Sequence, residues 1–207
     1  GRARADELTL DECLRIADQL AEFGTHEVAF IGGEAYLYPR WLEVVRAVRA
    51  RGIRATMTSG ARAMTAAVAK AAAEAGLQGV SCSVDGLQAT HDTLRNVKGS
   101  WRAAIDALGH IGAAGMTPMA NTQVNRLNLP ELEDLAEVLL AAGIRGWQVQ
   151  VTGPMGRAAD RPDWLLPRVL EGLPGGPVRA GDRGGRLGEG LPLAADGALR
   201  GREPAHA

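Results

Sequence analysis

With 207 residues, 46% hydrophobic residues and a formal net charge of −1, the chain is long enough for one domain with its own core. That charge gives no electrostatic case for a nucleic acid or an anionic membrane. Its two cysteines, Cys13 and Cys82, are far apart and exclude a disulfide scaffold. No signal peptide and no run of about 18 apolar residues is readable, so a soluble, cytoplasmic protein with no membrane partner is expected.

The first periodic segment is a helix from about Leu8 to Glu22, with Leu10, Cys13, Leu14, Ile16, Ala17 and Leu20 expected on its apolar side. Thr9 and Glu12 have capping-box spacing at its start, and Gly24 closes it. A strand over 26–31 comes next. Its apolar run Val28-Ala29-Phe30-Ile31 is short, as suits a strand buried on both faces. Gly32-Gly33 end that run and permit a sharp turn. Glu34 then stands just past the carboxyl end of the strand, where parallel α/β folds build their sites. The backbone N–H groups and the carboxylate here suit a ligand with an ammonium group or hydroxyls.

The pattern repeats from there. Pro39 opens a helix to Arg51, closed by Gly52, and strand 53–58 runs into Thr58-Ser59-Gly60. An Ala-rich helix from about Ala63 to Ala75 stops at Gly76. Strand 79–84 ends at Ser83, Asp85 and Gly86, and the stretch after it, with His91 and Arg95, reads as a loop. A helix from Trp101 to Ala114, a strand over 117–124, a helix from Leu129 to Ala142 and a strand over 146–151 complete the series. From about Gly172 the chain is dense in Gly, Pro and Arg and loses its periodicity, which predicts a disordered or loosely packed tail.

Helices and strands alternating at a period of about 30 residues predict βα units, a parallel sheet and right-handed crossovers. The expected fold is α/β, a partial (βα)6 TIM-like barrel over residues 1–165, then an irregular tail over 166–207. Because the array opens on a helix, its first strand is expected to be missing. A doubly wound open sheet is the rival arrangement. Small polar residues stand where the strands finish: Ser59, Ser83, Asp85, Asn121, Gln123, Gln150 and Thr152. On one rim they would suit a polar, multi-hydroxyl cofactor. There is no glycine-rich phosphate loop and no G-x-G-x-x-G. His26, His91, His110 and His206 have no metal-ligand spacing to one another or to a cysteine, so no metal ligand is assigned. Trp41, Trp101 and Trp147 are expected to anchor packing.

Five segments in register resemble the core of the radical S-adenosylmethionine superfamily. They are Phe30-Ile31-Gly32-Gly33-Glu34, Thr58-Ser59-Gly60, Ser83-Val84-Asp85-Gly86, His91-Asp92-x-x-Arg95 with Gly99-Ser100-Trp101, and Asn121-Thr122-Gln123-Val124. The segment Val151 to Ala158 continues the pattern. The likeness is to the branch with peptide-modifying and cofactor-building members. It implies that Gly32, Gly33 and Glu34 receive the ammonium group of S-adenosylmethionine, and that Ser83 and Asp85 meet its carboxylate or ribose. It also implies that Arg95 approaches the carboxylate, that Asn121 or Gln123 faces the ribose, and that the stretch from Val149 to Thr152, with Gln150, flanks the adenine. In the family a [4Fe–4S] cluster, fed by an electron donor, turns the bound cofactor into a 5′-deoxyadenosyl radical that abstracts a substrate hydrogen. A peptide is one expected substrate.

One departure stands out. The family's C-x-x-x-C-x-x-C motif is absent, and both cysteines read as core residues. The opening Gly1-Arg2-Ala3-Arg4 resembles the segment just past the cluster loop in such proteins. The expectation is a fragment of an enzyme, inactive alone, whose first strand and cluster loop are missing together. The alternative is a non-catalytic remnant or binding module on the same scaffold.

Overall fold

The residues described in the computed structural model are 7–32, 34–154 and 158–166. Gly33 and all but the first residue of the expected irregular stretch over 166–207 lie outside them. The elements run α1 (Leu10–Glu22), β1 (Glu27–Phe30), α2 (Trp41–Ala50), β2 (Arg54–Ser59), α3 (Ala66–Glu74) and β3 (Gly79–Ser83). They continue as α4 (Gln88–Arg95), α5 (Ser100–Ala113), β4 (Thr117–Val124), α6 (Leu132–Ala141) and β5 (Gly146–Val151). The capping box forms at the start of α1: the Thr9 hydroxyl accepts the Glu12 N–H, and the Glu12 carboxylate accepts the Thr9 N–H. Thr65 caps α3 through its hydroxyl alone, accepting the Val68 N–H, so that helix begins later than its alanine content predicts.

All strand pairs are parallel, and each strand pairs with the next in sequence, in the order β1-β2-β3-β4-β5. A doubly wound sheet reverses its strand order partway. This one does not, so the crossovers put the helices on one side and the sheet curls into a half-barrel.

Alternation along the strands then sorts the side chains. Ala55, Met57, Val80, Cys82, Val84 and Ala120 face the helices and pack with Val45, Val48, Leu108, Ile111, Leu135 and Leu139, all nearly fully buried. The opposite, concave face is polar. In register it pairs Thr58 with Ser81, Ser83 with Asn121, Asn121 with Gln148, and Gln123 with Gln150. Cys82 is a core residue, as expected, and Trp41, Trp101 and Trp147 pack against that core.

Two elements depart from the sequence reading. The stretch read as a loop after β3 contains α4, so His91 and Arg95 are helical residues. The segment expected as one helix from Leu129 splits into a 3-10 turn, Leu129–Glu131, and α6. No helix among the described residues is long and apolar enough to cross a membrane.

Candidate functional site

At the carboxyl ends of β1, β2 and β3 lies a cavity of about 620 Å³, lined by Gly32, Glu34, Ser59, Ser83, His91 and Arg95 among others. The wall side chains are tied to one another and to the backbone. The Ser59 hydroxyl donates to the Glu34 carboxylate and accepts the Ala61 N–H at 2.7 Å. A side chain at Gly60 would stand 2.8 Å from Glu34 Oε1, so the glycine there is what lets the carboxylate approach β2. After Glu34 the chain makes a 3-10 turn, Ala35–Leu37, whose buried Tyr36 hydroxyl accepts the Ala63 N–H.

The other wall is built around Asp85, which is nearly buried. Its Oδ1 accepts the Gln123 N–H at 2.9 Å, and its Oδ2 pairs with Arg95 Nη2 at 2.6 Å. Its backbone N–H donates to His91 Nδ1 at 2.9 Å, and its carbonyl accepts from Asn128 Nδ2 at 3.0 Å. Every polar group of this residue is therefore held, from β4, from α4 and from the loop after β4. Burial holds the His91 imidazole neutral, lowering its pKa from 6.5 to about 4. Beside it, Asp92 accepts the Trp101 and Gly99 N–H groups and the Ser100 hydroxyl, which caps α5. Those bonds, the Trp101 N–H foremost, keep the Asp92 carboxyl below its usual range. So α4 is anchored through His91 and Asp92, and Arg95 ends it at the cavity wall. Arg95 Nε and the Thr152 hydroxyl are buried with no hydrogen-bond partner among the described residues.

Most of the expected residues converge, though not in one compartment. Gly32, Glu34, Ser59, Ser83 and Arg95 share the large cavity. Asp85, Gln123 and Thr152 line an adjoining cavity of about 200 Å³ that also touches Arg95, with Trp164 among its lining residues. Asn121 lies one step down β4, in a hollow of about 340 Å³ on the concave face with Thr58, Ser81 and Gln148. Gln150 is exposed on β5 and accepts from Gln123 Nε2. Two residues that shape this site are not assigned a part in it by the sequence. Glu131 holds the start of α4, and His91 reads as a loop residue although it is helical. The spacing of His91 and Arg95, four apart, is the one signal in the sequence that puts both on a single helix face.

Among the described residues no group of three His, Cys, Asp or Glu side chains could hold a metal ion. Burial pushes the Cys82 thiol up to about 12, so it is no thiolate donor, and Cys13 is half-buried on α1.

Residues 1–142 match the Radical SAM superfamily. The chain is 30% identical over 154 residues to an AdoMet-dependent heme synthase of Oleidesulfovibrio alaskensis, covering 74% of this chain and 40% of that protein. It is 24% identical over 160 residues to the sporulation killing factor maturation protein SkfB of Bacillus subtilis, covering 77% of this chain and 39% of that protein. In fold it is similar to Streptococcus suis SuiB bound to S-adenosylmethionine, with a TM-score of 0.66 at 17% identity, over 75% of this chain and 37% of SuiB. The chain thus spans well under half the length of these proteins. With more than half of its residues inside the family match, and a half-barrel of parallel strands as its fold, the chain belongs to the Radical SAM superfamily.

Proposed function

We propose that this chain is the S-adenosylmethionine-gripping part of a radical S-adenosylmethionine enzyme that modifies a peptide or builds a cofactor. The observation that carries the reading is the state of Arg95. One edge of its guanidinium is fixed on Asp85, while Nε is buried and has no partner among the described residues. A buried N–H left open on a permanent cation calls for an anion, and a carboxylate matches the guanidinium fork. Across the cavity, the Glu34 carboxylate offers an acceptor for an ammonium group. The two walls therefore suit the zwitterionic end of an amino acid. Gly32 and Ser83 would border that end. Asn121 or Gln123 would receive ribose hydroxyls, and Gln150 and Thr152 would flank the adenine. Asp85 would act through Arg95, holding it in place.

When bound, S-adenosylmethionine supplies the radical chemistry of the superfamily. The residues of this chain bind and orient it and shield it from water. A [4Fe–4S] cluster does not fit the side chains present. Such clusters are held by several cysteine thiolates, and here there are two cysteines, one of them sealed in the core. The described residues therefore supply no cluster ligand. That same observation favours, for the chain taken by itself, the second reading of a binding module without redox chemistry.

An amide-resolved NMR titration of the chain with millimolar S-adenosylmethionine tests the proposal. Shifts confined to Glu34, Ser83, Asp85, Arg95 and their neighbours are expected, and Arg95→Ala is expected to weaken binding at least tenfold. Absence of any shift at saturating ligand, or shifts at the opposite end of the strands, would overturn it.

A further inference from the structure

Below the rim, the concave face holds the hollow of about 340 Å³ lined in part by Thr58, Ser81, Asn121 and Gln148. It exists because two strand positions lack a side chain. Gly79 on β3 and Gly146 on β5 flank β4, and Met119 of β4 lies over both. A Cβ at Gly79 would stand 3.2 Å from Met119 Cε, and one at Gly146 would stand 3.6 Å from Met119 Cγ. The thioether spread across the sheet makes an apolar floor. None of the residues lining the hollow is charged, whereas Glu34, Arg62 and Arg95 line the large cavity. Thr58 lines both, so the two spaces adjoin. The Thr56 hydroxyl, also on the hollow, is committed to the Glu27 carboxylate at 2.8 Å. Among the described residues, the side chains of Thr58, Ser81, Asn121 and Gln148 make no hydrogen bond, although Ser81 is only 8% exposed.

We propose that this hollow is a binding subsite for an uncharged amide group of the substrate. Its role as a substrate subsite rests on the cofactor reading above, which it deepens. An amide presents an N–H and a C=O, and both must be met when it leaves water. Hydroxyls and carboxamides each donate and accept, so these four side chains can meet both ends. A carboxylate or an ammonium group would enter without a counter-ion, at a far greater cost. A purely aliphatic group would leave the Ser81 hydroxyl and the Asn121 carboxamide unmet. The adjoining cavity has the opposite character, with a carboxylate on one wall and a guanidinium on the other. The two spaces therefore sort a neutral group from a zwitterionic one. On this reading Asn121 serves the substrate, and Gln123 is left to face the ribose. The amide belongs to a peptide backbone or to an asparagine or glutamine side chain.

Isosteric probes test this on the full chain by NMR titration at matched ionic strength: acetamide, acetate, acetamidinium and N-methylacetamide. Both amides are expected to shift the backbone signals of Ser81, Met119, Asn121 and Gln148, with responses to acetate and acetamidinium at least tenfold weaker. The stronger amide names the source: N-methylacetamide stands for a peptide backbone, acetamide for a side-chain carboxamide. Asn121→Asp puts a carboxylate into the hollow and should turn the preference toward acetamidinium. Gly146→Val crowds Met119 at a strand position that suits a β-branched residue, so the amide shifts should vanish while thermal melting shows a folded chain. No response to either amide, equal responses to all four probes, or an Asn121→Asp variant that still prefers acetamide would each overturn the proposal. Should Asn121→Asp not fold, Gly146→Val decides, and amide shifts that persist in it overturn the proposal. S-adenosylmethionine is titrated separately and read at Glu34 and Arg95. Its failure to bind would overturn the cofactor reading and with it the hollow's role as a substrate subsite, whereas failure of the amides alone overturns only the present proposal.

Discussion

The carboxylate of Glu131 accepts the Leu87 N–H at 2.8 Å and also takes the Thr90 hydroxyl, so a residue 44 positions downstream caps the start of α4. Leu87 stands at the N-cap and has no side chain able to do this itself. The contact also explains why Gly86 is tightly constrained: a Cβ there would lie 2.8 Å from Glu131 Oε2, and its backbone sits at φ 134. Glu131→Ala should therefore cost about 1–2 kcal/mol, as loss of a helix cap does. Because α4 carries His91 and Arg95, affinity for S-adenosylmethionine should fall as well. Glu131→Gln, which keeps one acceptor, should recover part of both. Urea unfolding and ligand titration of the same variants check the pair of effects together.

The Asp85–Arg95 pair makes a sharper demand on geometry. Arg95→Lys keeps the charge but removes both Nε and the planar fork, so ligand affinity should drop at least tenfold while stability changes little. Asp85→Asn should do the reverse in part. It leaves the guanidinium intact but unties it and weakens the acceptor for the Gln123 N–H, which should cost about 1–2 kcal/mol of stability. If Arg95→Lys bound S-adenosylmethionine as well as the parent chain, Arg95 would be a structural partner of Asp85 and nothing more. Isothermal titration together with a denaturant series separates these cases.

The architecture is legible in the sequence because its signals are local. Glycines close the helices, short apolar runs mark the strands, and Thr9-x-x-Glu12 writes a helix start into consecutive residues. The line of rim residues comes from strand ends alone. The hidden part is held by distant contacts. α4 has eight residues, buries only His91, and has no side-chain cap from its own N-cap residue; Glu131 and Asp85 stabilise it from other elements. Read in isolation it is a polar stretch after a glycine, which is why it reads as a loop. Asn121 and Gln150 show the second limit. Alternation puts both on the concave face, but sheet curl, which a single sequence does not display, leaves Asn121 in the hollow with Thr58, Ser81 and Gln148 and Gln150 exposed on β5.

Acidification should weaken the chain through His91. Its pKa is about 4 when folded and near 6.5 when unfolded, with burial the main cause. The unfolded state therefore binds the extra proton first. Stability attributable to this group is complete above pH about 6.5 and is lost as the pH falls toward 4, by an amount on the order of 3 kcal/mol. Protonation would also cancel the acceptor at Nδ1 and release the Asp85 N–H, so the cavity wall should loosen over the same range. His91→Asn should flatten the stability profile between pH 6.5 and 4. An unaltered profile in that variant would mean that the acid sensitivity lies in the carboxylates instead.

The cysteines provide a test that is independent of any ligand. Cys82 is fully buried on the helix-facing side of β3, and its thiol is raised to about 12, whereas Cys13 is half-buried on α1. A thiol-reactive reagent should modify Cys13 in the native chain and reach Cys82 only on unfolding, because the thiolate is the nucleophile and Cys82 has almost none. The rate at Cys82 then reports opening of the core. The same two positions decide the cluster question: they lie on separate elements, and no third ligand joins them among the described residues. Anaerobic treatment of the chain with iron and sulfide should accordingly leave no stable chromophore in the visible. A cluster that survived desalting and vanished in Cys82→Ala would require β3 to leave the core, and the polar rim assembled on its end would have to be abandoned with it.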